Sequence, residues 1–264
     1  KYGVGKMKVV ICIKPVLEKY VDGTREGKTY KMNPYDMFAL ETILKKRKEC
    51  EFNFQIVCIS MASYSAINVL RQARSMGSDE VILINDPSFS GSDTYATSYI
   101  LAKAIKKIGD VNFVICGEKS VDGETGQVFW QLTERLNHIG VKGVVEIQQI
   151  DNYSIKVVTI EGDKRKTIKC NYPLSISFLG YQTYTELINL RDMRKAMGER
   201  IEVLDAKTLD IESSKCGNIG SKTRVLKTKN LFSKREQKII QGNLETKVEF
   251  IMRSIYRNKE KYER

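Results

Sequence analysis

Residues 113–128 read FVICGEKSVDGETGQV. The apolar run Asn112 to Cys116 predicts a buried strand. Gly117 to Gly123 predicts a loop, and a helix is expected from about Glu124 to Leu136. A strand that opens through a glycine-rich loop into a helix is the unit of a parallel α/β sheet. In such sheets ligands bind beyond the carboxyl ends of the strands, near a switch in strand order. Gly117, Gly123 and Gly126 let backbone amides approach a ligand closely. The helix start offers unpaired N–H groups and the positive end of the helix dipole. That combination favours a phosphate, and Thr125 adds a hydroxyl donor. The same residues also read as a plain capped loop, with Asp122 or Thr125 satisfying the helix start. The spacing is neither a Walker loop nor the G-x-G-x-x-G dinucleotide fingerprint.

Outward from this segment, short apolar runs alternate with helical patterns. Val9 to Ile13, Phe54 to Met61 and Glu80 to Ile84 read as strands. Asn33-Pro34 opens a helix to about Lys48, with Asn as N-cap and Pro in the first turn. Its apolar stripe is Met37, Leu40, Ile43 and Leu44. Ser65 to Met76, closed by Gly77, and Asp93 to Ile108 are the next helices. Continuous rather than alternating apolar strands predict burial on both faces, hence a parallel sheet covered by helices. After residue 140 the pattern becomes an antiparallel meander: Val141 to Ile150, Ser154 to Ile160 and Arg165 to Asn171, with a turn at Gly162-Asp163. Leu174 to Phe178 returns to the main sheet, and Ile201 to Leu204 is a short strand. Gly180 to Gly198 is polar, with Leu187, Ile188, Leu190 and Met193 scattered through it. Residues 205–230 read as an extended segment. Lys234 to Tyr262 reads as one or two amphipathic helices whose stripe (Ile239/Ile240, Leu244, Val248, Ile251/Met252, Ile255) must bury against this domain or another subunit.

The 264 residues correspond to between one and two domains, enough to bury a real core. Hydrophobic content of 42% and charged content of 29% are ordinary for a globular protein. No run approaches 18 apolar residues, so no membrane span is expected. No apolar segment of signal-peptide type follows the basic N-terminus, and Met7 reads as the native start, with residues 1–6 an added stretch. The six cysteines show no C-x-x-C spacing. Cys12, Cys58 and Cys116 lie in apolar runs and read as buried thiols in a reducing, cytoplasmic setting. A single histidine, His138, cannot build a histidine metal site or an obvious triad; it reads as structural. The formal charge of +12 is spread through the chain, densest at Lys222 to Lys238. Zinc-finger spacing and an aromatic RNA-binding strand are both missing, so the basic surface fits an acidic protein partner at least as well as nucleic acid.

Three strand ends are candidate sites: Cys12 to Val16, Ser60 to Ser63 and Gly117 to Val128. Asn33-Pro34-Tyr35-Asp36 is either a helix cap or a functional element, with Asn33 bonding a base or ribose and Tyr35 lying on an aromatic ring. Asp93 and Thr94 read as a helix start, and Phe129 and Trp130 as core.

Five stretches together resemble one family. They are MKVVICIKPV at 7–16, NPYDMFALE at 33–41, ARSMGSDEVILI at 73–84, SDTYATSYILAKAIKK at 92–107 and VDGETGQV at 121–128. In this order they are similar to the beta subunits of electron-transfer flavoproteins, FixA-like proteins included, over residues 7 to about 205. The resemblance implies an adenine-nucleotide alpha-hydrolase-like (Rossmann-like) α/β fold with added antiparallel strands. Residues 7–205 would form the nucleotide-binding domain, and 206–264 an extended segment and C-terminal helical arm contacting an alpha subunit. The alpha subunit of the resembled heterodimer carries most of a shared FAD. The beta subunit binds AMP, or a second FAD in electron-bifurcating members. Carried over residue by residue, the nucleotide positions are Cys12, Asn33, Pro34, Tyr35, Asp36, Met61, Val121, Asp122, Gly123, Glu124, Thr125, Gly126, Gln127 and Val128. Tyr35 matches an aromatic position facing the alpha-subunit flavin.

The sequence departs from the family pattern at two places. The partner-recognition loop, usually close to NEPRYxxLxxIMxAK, reads TYTELINLRDMRKA here. Leu190 and Ala196 fit; the EPRY core does not. Phe129-Trp130 also replaces small residues and proline. The implied function is electron carriage between a flavin dehydrogenase and an acceptor, with the flavin rather than any side chain supplying redox chemistry. The competing readings are a bifurcating member that oxidises NADH at a second FAD, a stand-alone AMP or ATP sensor, and a nucleic-acid binder.

Overall fold

The computed structural model describes residues 7–18, 29–180, 188–224 and 239–262. The chain divides into two units, Lys1–Arg224 and Val225–Arg264.

In the first unit a nine-stranded sheet carries helices. Its elements in chain order are β1 (Lys8–Cys12), β2 (Pro15–Leu17), β3 (Tyr30–Met32), α1 (Pro34–Glu49), β4 (Gln55–Met61), α2 (Ile67–Met76), β5 (Glu80–Ile84), α3 (Thr94–Ile108), β6 (Phe113–Gly117), α4 (Gln127–Leu136), β7 (Ile139–Ile150), β8 (Ser154–Glu161), β9 (Lys164–Asn171), β10 (Leu174–Phe178), α5 (Leu190–Gly198), β11 (Glu202–Leu204) and α6 (Gly217–Gly220). The strand order is β11-β5-β4-β1-β6-β10-β7-β8-β9. From β11 through β7 every neighbouring pair is parallel, and β7-β8-β9 is antiparallel. β2 and β3 pair in a separate antiparallel ribbon.

The parallel strands are apolar throughout because both of their faces are covered. Val9, Ile11, Ile56 and Ile115 face α1 and α2, where Leu40, Ile43, Leu70 and Ala73 pack on them. Val10, Val57, Ile59 and Val114 face α3 and α4, where Ile100, Leu101, Phe129 and Leu132 pack. Fully burying an aliphatic side chain of this size contributes about 1.5–3 kcal/mol. β9 (KRKTIKCN) is mostly exposed and lysine-rich, which suits the edge of a sheet. The expected α/β fold with a parallel sheet and antiparallel meander is therefore the observed one, including the turn at Gly162, whose φ is +60°.

Local differences have physical causes. α4 starts at Gln127 rather than about Glu124, because Glu124 (φ +54°) and Gly126 (φ +61°) take left-handed conformations before the helix begins. Asn33 precedes α1 but its side chain makes no capping bond; it is used elsewhere, as described below. Residues 205–224 are turns, a 3₁₀ turn and α6 rather than an extended segment, and Lys103 Nζ bonds the Asp210 carbonyl at 3.0 Å. Trp130, expected in the core, is 44% exposed; its ring covers Gly140, where an added Cβ would meet it at 2.9 Å. The expected N-terminal start and much of the basic 222–238 stretch lie outside the described residues.

In the second unit the described helix is α7 (Leu244–Tyr262). The expected helix start at Lys234 lies outside the described residues, and 239–243 are not helical. The side chain of Asn243 accepts the Thr246 N–H at 3.0 Å, so it caps the helix. Leu244, Val248, Ile251, Met252 and Ile255 are all exposed within this unit. No helix among the described residues is long and apolar enough to cross a membrane.

Candidate functional site

β1 is the first strand of the sheet, and the chain builds outward from it on both sides: β4 and β5 on one, β6 on the other. This is the switch in strand order beyond which α/β sheets leave a crevice. A cavity of about 810 Å³ lies there, with Cys12, Met61, Ile84 and Gly117 at the carboxyl ends of β1, β4, β5 and β6 lining it. Four adjacent strand ends at ~4.8 Å spacing span roughly 14 Å.

One wall is the loop Gly117–Gly126 and the first turn of α4. Three side chains hold this wall in shape. Asn33 Nδ2 donates to the Lys119 carbonyl at 2.9 Å, and Asn33 Oδ1 accepts the Val121 N–H at 3.2 Å. Asp36, in the first turn of α1, accepts the N–H of Lys14 at 2.8 Å and that of Gly117 at 3.1 Å. Lys14 Nζ donates to Ser120 Oγ at 3.1 Å and to Asp122 Oδ1 at 2.6 Å. The sequence NPYD thus ties the ends of β1 and β6 and the loop to the start of one helix. Gly117 is required for this close approach: a Cβ there would lie 2.3 Å from Asp36 Oδ1 and 2.7 Å from the Tyr35 Cβ. Burial pushes the Asp36 carboxyl up to about 7, against the opposing effect of the Lys14 N–H, the Asn33 side chain and the Gly117 N–H. Gly126 packs a would-be Cβ 3.1 Å from the Glu118 carbonyl, so the turn before α4 is also glycine-dependent.

The opposite wall is the chain after β5, Asn85 to Thr97. Asp86 Oδ1 accepts from the Ser88 N–H at 2.9 Å, and Asp86 Oδ2 accepts from the Ala206 N–H at 3.1 Å. Asp93 caps α3 through the Ala96 N–H at 3.0 Å, and its second oxygen accepts the N–H groups of Lys222 and Thr223 at 2.7 and 2.8 Å. The helix-start reading of Asp93 therefore holds, and the residue also anchors residues 222–223. The floor carries two thiols. The neighbouring Cys116 thiol and burial together hold the Cys12 thiol well above its ordinary pKa. Among the described residues no group of acidic, histidine or cysteine side chains is arranged to hold a metal ion.

Of the expected nucleotide residues, Cys12, Asn33, Asp36, Met61, Gly123, Thr125, Gly126, Gln127 and Val128 line this one cavity. Pro34, Tyr35, Val121, Asp122 and Glu124 stand behind or beside the lining. Leu190, expected to meet a partner, begins α5 and is 71% exposed. His138 is half-buried and bonds Ser175 Oγ at 3.1 Å; desolvation lowers its pKa, in keeping with a structural role. The second wall was not among the expected strand ends. The signal was present, since Glu80 to Ile84 reads as a strand and Asn85-Asp86-Pro87 follows its carboxyl end. Lys14 lies within the expected strand end Cys12 to Val16, and the cavity lining includes it.

A mostly parallel sheet covered by helices, with a lined crevice at its switch point, defines a doubly wound α/β domain. The electron transfer flavoprotein domain family matches residues 24–203. The chain is 32% identical over 234 residues to protein FixA of Azorhizobium caulinodans, covering 83% of each chain. It is 30% identical over 226 residues to the electron transfer flavoprotein subunit beta of Thermoanaerobacterium thermosaccharolyticum, covering 85% of each. It is 30% identical over 230 residues to the caffeyl-CoA reductase-Etf complex subunit CarD of Acetobacterium woodii, covering 84% of this chain and 87% of that one. The chain belongs to the electron transfer flavoprotein family.

Proposed function

We propose that this chain is the beta subunit of a heterodimeric electron-transfer flavoprotein and that it binds an adenine nucleotide in the strand-end cavity. The observation that supports this best is the convergence of the Gly117–Gly126 loop, the first turn of α4 and the NPYD clamp on one cavity. The residues present fit such a ligand. Thr125, Gly126 and the first residues of α4 supply backbone and hydroxyl donors for a phosphate. Ile59, Ile84, Leu101 and Phe129 supply apolar surface for a base. Gly117 and Gly126 let the loop pack closely on Asp36, Tyr35 and the Glu118 carbonyl, which gives the cradle its shape.

The flavin, when bound, supplies the electron chemistry of the complex. In this reading the alpha subunit carries most of a shared FAD, with Tyr35 and the outer side of the NPYD segment forming one wall of that site. This chain binds and orients its nucleotide, excludes water from the cavity floor and offers docking surface. Leu190 and the exposed face of α5 meet a flavin dehydrogenase, and the apolar stripe of α7 meets the alpha subunit. The setting is the cytoplasm, or the mitochondrial matrix in a eukaryote.

A second reading has a specific observation in its favour. The cavity extends across four strand ends to Asn85–Thr97, further than a mononucleotide requires. That extent suits a dinucleotide, so a second FAD here, reduced by NADH, is the alternative to AMP. The experiment that tests both is to co-express the chain with an alpha subunit, heat-release the nucleotides and count them. One FAD and one AMP per heterodimer supports the simple carrier. Two FAD and no AMP supports bifurcation. Release of no nucleotide beyond the shared FAD overturns the cavity assignment.

A further inference from the structure

Lys14 follows β1 by two residues and lines the cavity. Its backbone N–H is fixed by Asp36, which sets where the side chain leaves the chain. The ammonium then spans the loop to Ser120 Oγ and Asp122 Oδ1. Ser120 Oγ in turn accepts the Gly123 N–H at 3.4 Å, and an added Cβ at Gly123 would lie 3.8 Å from Lys14 Nζ. The ammonium therefore sits against the glycine turn of the loop.

Asp122 is the other half of the pair, and it does not line the cavity. Both side chains are about half exposed, 49% for Lys14 and 46% for Asp122. An exposed ion pair of this kind is weak, whereas a phosphate carries up to two negative charges and three acceptor oxygens. The acidic groups that do line the cavity are already engaged. Asp36, Asp86 and Asp93 hold backbone N–H groups, and Glu118 pairs with Lys142. Lys14 is thus a cavity cation with an exchangeable counter-anion.

We propose that Lys14 recognises the phosphate of the bound adenine nucleotide, and that Asp122 is a competing counter-anion rather than a ligand. This rests on the nucleotide reading above and adds to it the discrimination of 5′-phosphorylated nucleotides from nucleosides. The arrival of a phosphate draws the ammonium from Asp122, so the two residues act on affinity with opposite sign. Lys14 favours phosphate binding; Asp122 opposes it.

The test is calorimetric titration of the full chain with AMP and with adenosine at low ionic strength, where charge contacts are least screened. Lys14→Met is expected to weaken AMP about tenfold or more while leaving adenosine within about twofold. Asp122→Asn is expected to tighten AMP about threefold without changing adenosine. Lys14→Arg retains most AMP affinity because it keeps the charge, and it controls for folding, together with thermal unfolding of each ligand-free variant. Wild-type protein that binds adenosine as tightly as AMP overturns the proposal. So does a Lys14→Met variant that loses both ligands equally or neither, or an Asp122→Asn variant that weakens AMP. Binding of neither AMP nor adenosine by the wild type places the failure in the nucleotide reading itself.

Discussion

Each wall of the cavity has an aspartate at or near the start of a helix among the groups that hold it, Asp36 on one and Asp93 on the other, and the two carboxyls respond in opposite directions. Asp36 is buried, and burial raises it to about 7 despite the N–H groups of Lys14 and Gly117. Burial also pushes Asp93 upward, but the donors from Ala96, Thr223 and Lys222 outweigh it and hold the carboxyl below its usual value. Asp93 stands at the other wall and gathers four donors, the Thr223 hydroxyl at 3.0 Å included. The same residue type is thus a costly internal tie on one wall and a donor-rich cap on the other. Desolvation against donor count decides which. The wall with the costly tie is the one that shapes the loop of the proposed phosphate site.

The largest effect is expected where the Asp36 wall is tightest. Gly117→Val forces a side chain into Asp36 and Tyr35, and should destabilise the first unit by about 3 kcal/mol or more. Denaturant unfolding measures this, and a loss below about 0.5 kcal/mol would show that the clamp is slack. On the other wall, Asp93→Ala removes a cap and three further bonds. A loss of about 2–3 kcal/mol is expected, together with increased proteolysis around residue 222. Stability unchanged by Asp93→Ala would mean that residues 222–223 are held by other groups.

A smaller effect separates the two carboxyls by pH. The folded pKa of Asp36 lies above its unfolded value, so its protonated form favours the fold. That contribution is present at low pH and is lost as pH rises from about 4 to about 7. Asp36→Asn should therefore be less stable than wild type at pH 5, through a lost acceptor. By pH 8 the gap should narrow by on the order of 1–3 kcal/mol. For Asp93 the sign reverses: its contribution is present above about pH 4 and is lost below it. Thermal melts of wild type, Asp36→Asn and Asp93→Ala at pH 3, 5 and 8 read both. Parallel pH profiles for the two variants would erase the contrast.

The fold was legible in the sequence because strand burial on both faces leaves continuous apolar runs such as VVICI and FVICG. The Gly117 loop was legible because glycines at strand ends have few other uses. The true role of Asn33 was not. Asn before Pro at a helix start looks like a cap, and only the fold reveals that Lys119 and Val121, 86 and 88 residues away in sequence, claim its side chain. The Asn85–Thr97 wall is hard to read from the sequence although its strand is plain, since a helix start accounts locally for Asp93 and its bonds to residues 222 and 223 arise only in the fold. α5 escaped detection because Leu190, Met193 and Met197 are mostly exposed and only Ala196 is buried, so no core stripe marks it. The β2-β3 ribbon is three residues a side, too short for a periodicity signal.

The central claim is that the crevice at the carboxyl ends of β1, β4, β5 and β6 holds an adenine nucleotide against the Gly117–Phe129 segment. The most direct test is hydrogen–deuterium exchange of the full chain with and without AMP. The account predicts slowed exchange at residues 117–129, with a smaller effect at 12–14 and 33–36, and no change in β8 or β9. Protection confined to segments that do not line the crevice, or none at 117–129 at saturating AMP, would contradict it.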